Sequence, residues 1–167
     1  MKSVVIYSDG ACQGNPGPGG WAAVLRYKEK QAEISGHAIA TTNNRMELQG
    51  AIEALNKLKE PCDIQFFTDS EYLRNGITQW IHAWKKKRWM KGKDPVKNSD
   101  LWKLLDQAVA RHSIKWNWVR GHSGEAMNER CDVLAVAEIE KLRAHVSKEE
   151  LKKALTDLKQ NGHPQTL

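Results

Sequence analysis

This chain has few cysteines, no long apolar run and no internal repeat. Cys12, Cys62 and Cys131 are an odd number, widely spaced and without a C-x-x-C pair, which argues against a disulfide framework or a zinc site and for a reducing compartment. Met1-Lys2-Ser3 does not open a basic-then-apolar leader, and no stretch is apolar enough to cross a bilayer, so a cytoplasmic, membrane-free protein is expected. Low-complexity segments and long linkers are also missing. A chain of 167 residues is therefore expected to bury one core, with no staple needed.

What is present is charge in one place. The formal net charge is +6, and Trp80 to Lys93 (WIHAWKKKRWMKGK) carries six Lys/Arg and no acid. A basic block on an otherwise balanced body points to nucleic acid or an anionic membrane.

The chain opens with the β-branched and aromatic run Val4-Val5-Ile6-Tyr7, and Asp9 stands at its mouth. Gly10, Gly14, Gly17, Gly19 and Gly20 with Pro16 and Pro18 predict a tight loop, whose backbone N–H groups could approach an anion. Trp21–Tyr27 and Ala32–Ile39 predict two more strands of an antiparallel meander. Thr41 to Asn44 supply N-cap residues, and Leu48, Ala51, Ile52, Leu55 and Leu58 share one helical face until Pro61. Asp63 to Thr68 predicts a second central strand, which also ends at an aspartate, Asp69. Beyond it the pattern gives a helix from Glu71, the basic block, a helix around Leu101 to Ala108, and a strand carrying Ile114, Trp116 and Trp118. A glycine loop, 121–124, leads to a helix from about Met127 to Arg143. Ser147 and Glu150 form a capping box for a last helix with a Leu stripe. This order describes an α/β fold with a mixed sheet: residues 1–145 form the main domain, and residues 146–167 a helical extension packed on it.

A helical crossover makes the strands before Asp9 and Asp69 parallel, so both carboxylates are expected at one sheet edge, with Glu47 and Asp132 near the starts of two helices close by. Singly, each acid has a plainer reading: Asp9 and Asp69 as turn formers, Glu47 as a capping residue, Asp132 as a charge near a positive helix terminus. Four pointing at one edge favour a shared site. Their repulsion would be relieved by divalent cations, and all-oxygen ligation suits Mg²⁺ or Mn²⁺.

Tyr7-Ser-Asp-Gly with Gly14-Asn-Pro-Gly-Pro-Gly-Gly20, Thr42-Asn-Asn-Arg-Met-Glu-Leu48, Thr68-Asp-Ser70, and Trp118-Val-Arg-Gly-His122 through Asp132 together resemble bacterial type 1 ribonuclease H, over about Ser3 to Ala137. The resemblance implies the ribonuclease H fold, a five-stranded mixed sheet with helices on both faces, the first three strands antiparallel and the last two parallel to the first. It implies that Asp9, Glu47, Asp69 and Asp132 bind two Mg²⁺ ions, with Mn²⁺ as a substitute, and that His122 transfers a proton or aids product release. The implied reaction is two-metal hydrolysis of the RNA strand of an RNA/DNA hybrid, leaving 5′-phosphate and 3′-hydroxyl ends, by a monomer with no obligate protein partner. Cys12, Asn15, Asn43 and Asn44 would meet the minor groove, with Thr42 at a DNA phosphate. Trp80, Trp84, Lys85, Lys86, Lys87, Arg88 and Trp89 match the basic protrusion that grips the DNA strand, and Trp102 a position near it. Core packing is the expectation for Trp116 and Trp118.

Two departures stand out. Glu71 replaces a common Gln, and Glu125-Ala126-Met127 follows the His122 loop where His-Pro-Glu is common. A non-catalytic binding module and a DNA-cleaving nuclease of the same fold are the competing readings. The intact acidic quartet opposes the first, and the Asn43/Asn44 pair with the Trp-rich block opposes the second.

Overall fold

The computed structural model describes residues 1–120 and 125–162. A meander of β1 (Lys2–Cys12), β2 (Gly17–Tyr27) and β3 (Lys30–Thr41) is followed by α1 (Asn43–Lys57) and β4 (Cys62–Thr68). Next come α2 (Glu71–Asn75), a π-helical turn (Gly76–Trp80) and α3 (Ile81–Lys86). A minimal hairpin, β5 (Met90–Lys91) with β6 (Asp94–Pro95), leads to α4 (Ser99–Ala110), β7 (Ser113–Trp118), α5 (Ala126–His145) and α6 (Lys148–Asn161). The main sheet has the order β3-β2-β1-β4-β7, antiparallel between the first three strands and parallel from β1 to β4 and β4 to β7. This is the mixed sheet that the sequence predicts.

Side-chain alternation along the strands divides the core in two. Val4, Ile6, Ala23, Leu25, Ile64 and Phe66 meet the apolar faces of α1 and α4. Tyr7, Ala22 and Val24 meet Cys131 and Ala135 of α5 on the opposite face. Helices therefore cover both sides of the central strands.

The glycine-rich segment departs from expectation. β1 runs through Gly10 to Cys12 and β2 begins at Gly17, so most of these glycines are strand residues, with Gly10 opposite Trp21 and Gly20 opposite Ala11. Their smallness admits the two helices. A Cβ on Gly10 would lie 2.5 Å from the backbone N of Glu47 in α1, and one on Gly20 would lie 2.1 Å from the Ala135 carbonyl oxygen of α5. Sequence pattern reads such glycines as a loop because the packing partner is remote in the chain. The neighbouring N–H groups serve the fold: Gly10 N–H donates to Asp9 Oδ1 and Gln13 N–H to the Pro18 carbonyl.

The tryptophans also sort differently. Trp102 is fully buried, with its Nε1–H donating to the Tyr72 hydroxyl and the glycine of the π turn, Gly76, lying against its ring. Trp116 is half-buried against Phe66. Trp118, expected in the core, is 38% exposed, because it caps the sheet at its far strand and donates its Nε1–H to the Asp69 carbonyl.

Candidate active site

Strand register brings the first two acids together. The parallel β1–β4 pairing ends at Tyr7 opposite Phe67, whose rings stack 4.8 Å apart. Asp9 lies two residues further on within β1 and keeps the facing of that pair, while Asp69 follows one residue past the end of β4. β1 continues past β4 by pairing with β2, which places Asp9 opposite Ala22 within the strand and not at its end. On the other side, α1 starts at an N-cap, Thr42, whose Oγ1 accepts the Arg45 N–H at 3.3 Å. With Gly10 offering no side chain, the first turns of α1 press on β1 and Glu47 reaches Asp9.

Carboxylate oxygens of Asp9, Glu47 and Asp69 all lie within 4.8 Å of one another. Asp132, in the second turn of α5, lines the same cavity of about 440 Å³ along with Asn43 and Asn128. Burial and then the Asp69 charge push the Asp9 carboxyl up to about 7, against the opposing pull of the Gly10 N–H. Glu47, fully buried, is raised well above the ordinary carboxylate range, first by burial and then by the charges of Asp9 and Asp69. The field reaches the neighbouring Cys131 thiol, which burial and then Asp9 push up to about 12. Such a cluster favours a divalent cation over its own repulsion. Glu47 Oε2 and Asn128 Oδ1 are buried without a hydrogen-bond partner among the described residues, as expected of atoms awaiting an ion or its water.

A sequence model of the RNase H family matches residues 1–140. The chain belongs to the RNase H family. It is 58% identical over 133 residues to the ribonuclease H of Phenylobacterium zucineum (strain HLK1), an alignment covering 79% of this chain and 87% of that one. It is 56% identical over 144 residues to the ribonuclease H of Alcanivorax borkumensis (strain ATCC 700651 / DSM 11573 / NCIMB 13689 / SK2), covering 86% and 95%. Among solved structures it resembles LC9-RNase H1, a type 1 RNase H with the type 2 active-site motif, with a TM-score of 0.76 and 32% identity over 91% of this chain and 85% of that one. LC11-RNase H1, solved in complex with an RNA/DNA hybrid, shares the fold at a TM-score of 0.63 and 23% identity, covering 83% and 98%. Ribonuclease H is thus an enzyme assignment, and an acidic cluster fit for a divalent metal sits where the chain order of the motifs requires it.

The remaining candidate residues fall into two groups. At the rim, Asn15 Oδ1 accepts the Asn43 N–H at 2.9 Å, joining the β1–β2 connection to the start of α1. Asn43 is exposed and Asn44 half-buried, while the Cys12 thiol donates to the carbonyls of Gly17 and Thr41. Farther out, Trp80, Trp84 and Trp89 form a ladder of rings with centroids 5.8 and 6.5 Å apart. Trp80 is 38% exposed at its edge, and Lys86, Lys87 and Arg88 are exposed. Lys85 is exposed as well and pairs with Asp106 at the surface. Trp102, expected near a bound strand, is the buried floor of this ladder, with no surface to offer a ligand. His122 lies outside the described residues.

Sequence reasoning missed Arg45. Its guanidinium makes a bidentate pair with Asp100 at 2.9 and 2.8 Å and donates to Asn98 Oδ1, locking α1 to α4. Asn98, at φ 61° before α4, in turn donates to the Tyr72 hydroxyl that Trp102 also binds. One network therefore fixes both the helix bearing Glu47 and the floor of the tryptophan ladder. No local pattern marks a partner 55 residues away.

Proposed function

We propose that this chain hydrolyses the RNA strand of RNA/DNA hybrids, leaving 5′-phosphate and 3′-hydroxyl ends, and that Asp9, Glu47, Asp69 and Asp132 hold two Mg²⁺ ions, with Mn²⁺ as a substitute. The observation that carries it is the trio of carboxylates from β1, α1 and the end of β4 within 4.8 Å, in a member of the RNase H family. Two such ions supply an activated water and charge stabilisation for the leaving 3′ oxygen. The chain's own part is to hold the carboxylates together and to shed on loading the protons that their raised pKa values keep on them, so metal affinity rises with pH, for Asp9 through the range near 7.

Substrate positioning falls to the two rims. Asn15, Asn43, Asn44 and Cys12 border the carboxylates, and their mixed donors and acceptors suit ribose hydroxyls in a minor groove. Thr42 keeps its hydroxyl hydrogen available for a phosphate oxygen while its oxygen caps α1. Trp80, Trp84 and Trp89 with Lys86, Lys87 and Arg88 suit the DNA strand, the indoles packing on deoxyribose and the cations on phosphates. His122 is assigned proton transfer or product release. The catalytic unit is residues 1–145, working as a monomer, and the three free thiols suit the cytoplasm. Among the described residues no helix is long and apolar enough to cross a membrane.

The test is a labelled hybrid incubated with Mg²⁺, with and without EDTA, beside duplex DNA of the same sequence. Cleavage confined to the RNA strand, abolished by EDTA and by Asp9→Asn, is expected. Equal cleavage of duplex DNA, or full activity in EDTA, would refute the proposal.

A further inference from the structure

Helix α6 lies beyond the residues matched by the family, and the reaction leaves it without a task. It is held by Ser147, whose Oγ accepts the Glu150 N–H at 3.0 Å, and it packs on β3 and β2. Its Leu151, Ala154, Leu155 and Leu158 are half-buried, which fixes the rotation of the helix. At 100° per residue, Lys148, Lys152 and Lys159 then fall within about 40° of one another on one ridge. The acids Glu149, Glu150 and Asp157 lie elsewhere around the wheel. All three lysines are exposed, and none is ion-paired among the described residues.

This ridge is not an isolated charged face. It borders a groove of about 520 Å³ whose other wall is the β1–β2 connection, with Gln13 and Pro16, and Arg143 of α5 joins the cationic wall. Arg143 Nε donates to Gln13 Oε1 at 2.6 Å. Two residues on, Asn15 is bonded to Asn43 at the rim of the carboxylate cavity. At the opposite end of α6, Asn161 and Gly162 line a cavity with Arg88, Trp89 and Lys103. The cationic groove therefore lies beside the β1–β2 connection, two residues from the active-site rim.

We infer that α6 supplies a second contact for the phosphate backbone of the hybrid: Lys148, Lys152 and Lys159, with Arg143, neutralise phosphates beyond those at the cleavage site. The ridge from Lys148 to Lys159 is about 16 Å long at 1.5 Å per residue. One strand of a duplex presents a charge about every 3.4 Å of axis, so three lysines each find a phosphate. A polyanion with regular spacing fits this ridge, and its link through Gln13 and Asn15 to the active-site rim points to the same duplex. The inference rests on the nucleic-acid cleavage proposed above.

The experiment compares the full chain with Lys148→Gln/Lys152→Gln/Lys159→Gln, and with the corresponding triple Arg variant, on hybrids of about 30 and about 8 base pairs. Each contact is worth roughly 0.9 in the slope of log affinity against log salt. The Gln variant is expected to flatten that slope by about two to three on the long hybrid and raise its KM roughly tenfold, leaving kcat and the short hybrid unaffected, with the Arg variant restoring both. Acetylation of the unmodified protein gives a readout that needs no variant: the long hybrid is expected to protect the three lysines. Unchanged slope and unprotected lysines, in an enzyme that still cleaves hybrid, would overturn the inference alone, whereas no cleavage by the wild-type chain would overturn the function itself. Tighter binding by the Gln variant, or lysine-dependent binding to anionic vesicles with the hybrid slope unmoved, would equally overturn it.

Discussion

The acid cluster makes a prediction about stability that is separate from catalysis. In metal-free protein, Asp9→Asn should stabilise the fold while destroying activity. Asp9 is nearly fully buried and its carboxyl is pushed from the ordinary 3.8 up to about 7. At 1.36 kcal/mol per unit, that shift opposes folding by about 4 kcal/mol once the group is ionised in both states. Asparagine removes the charge but accepts the Gly10 N–H less strongly, so a net gain of about 2–3 kcal/mol is expected. For a chain of this size that is a rise in Tm of roughly 5–10 °C. The sign follows from linkage. A carboxyl with a raised folded pKa supports the fold while protonated, and that support is lost as pH rises from about 4 through about 7. The gain should therefore be full at pH 8 and nearly vanish by pH 5. Thermal unfolding by circular dichroism in EDTA at both pH values measures it, and added Mg²⁺ should raise the wild-type Tm more than that of the variant. A variant no more stable than wild type at pH 8, or a gain that does not shrink at pH 5, would refute the claim that these carboxylates strain one another.

Three further perturbations probe what positions the site. Arg45→Ala should cost about 3–5 kcal/mol in denaturant unfolding, because it removes the bidentate guanidinium from the Asp100 carboxylate, 16% exposed, together with the bond to Asn98 Oδ1. Gly20→Ala should destabilise by more than about 3 kcal/mol or prevent folding, since its methyl would meet the Ala135 carbonyl of α5; recovery of soluble, fully stable protein would contradict that packing. His112 accepts the Cys62 N–H at Nδ1 and donates from Nε2 to the Leu55 carbonyl, a neutral form that burial favours by lowering its pKa below 6.5. Its support is thus present above pH 6.5 and lost as pH falls through the lowered value; His112→Ala should cost about 1–3 kcal/mol at pH 8, and less in acid, in the same unfolding assay.

The parts of this structure that were legible in the sequence are those set by local period. Alternation placed the central strands, the 3.6-residue stripe placed α1, and the helical crossover made the two aspartate-bearing strands parallel, so that Asp9 and Asp69 meet. The parts that were not legible depend on remote partners. Gly10 and Gly20 look like turn residues until α1 and α5 are seen pressing on them. Trp102 shares the composition of its exposed neighbours and is distinguished only by the Tyr72 hydroxyl and the π turn at Gly76 lying over it. Trp118 keeps the alternation of a core strand, but it sits at the far strand, β7, beside Asp69. Arg45 reads as one more helix-start residue, since Asp100 and Asn98 reach it only through the packing of α4 on α1.

The most direct test of the metal assignment is anomalous diffraction from crystals of Asp132→Asn soaked with Mn²⁺ and bound to an uncleaved hybrid. Two peaks touching the carboxylates of Asp9, Glu47 and Asp69, on either side of the RNA phosphate, are expected. Peaks elsewhere, or a protein that cleaves hybrid with no metal at these three residues, would contradict the account.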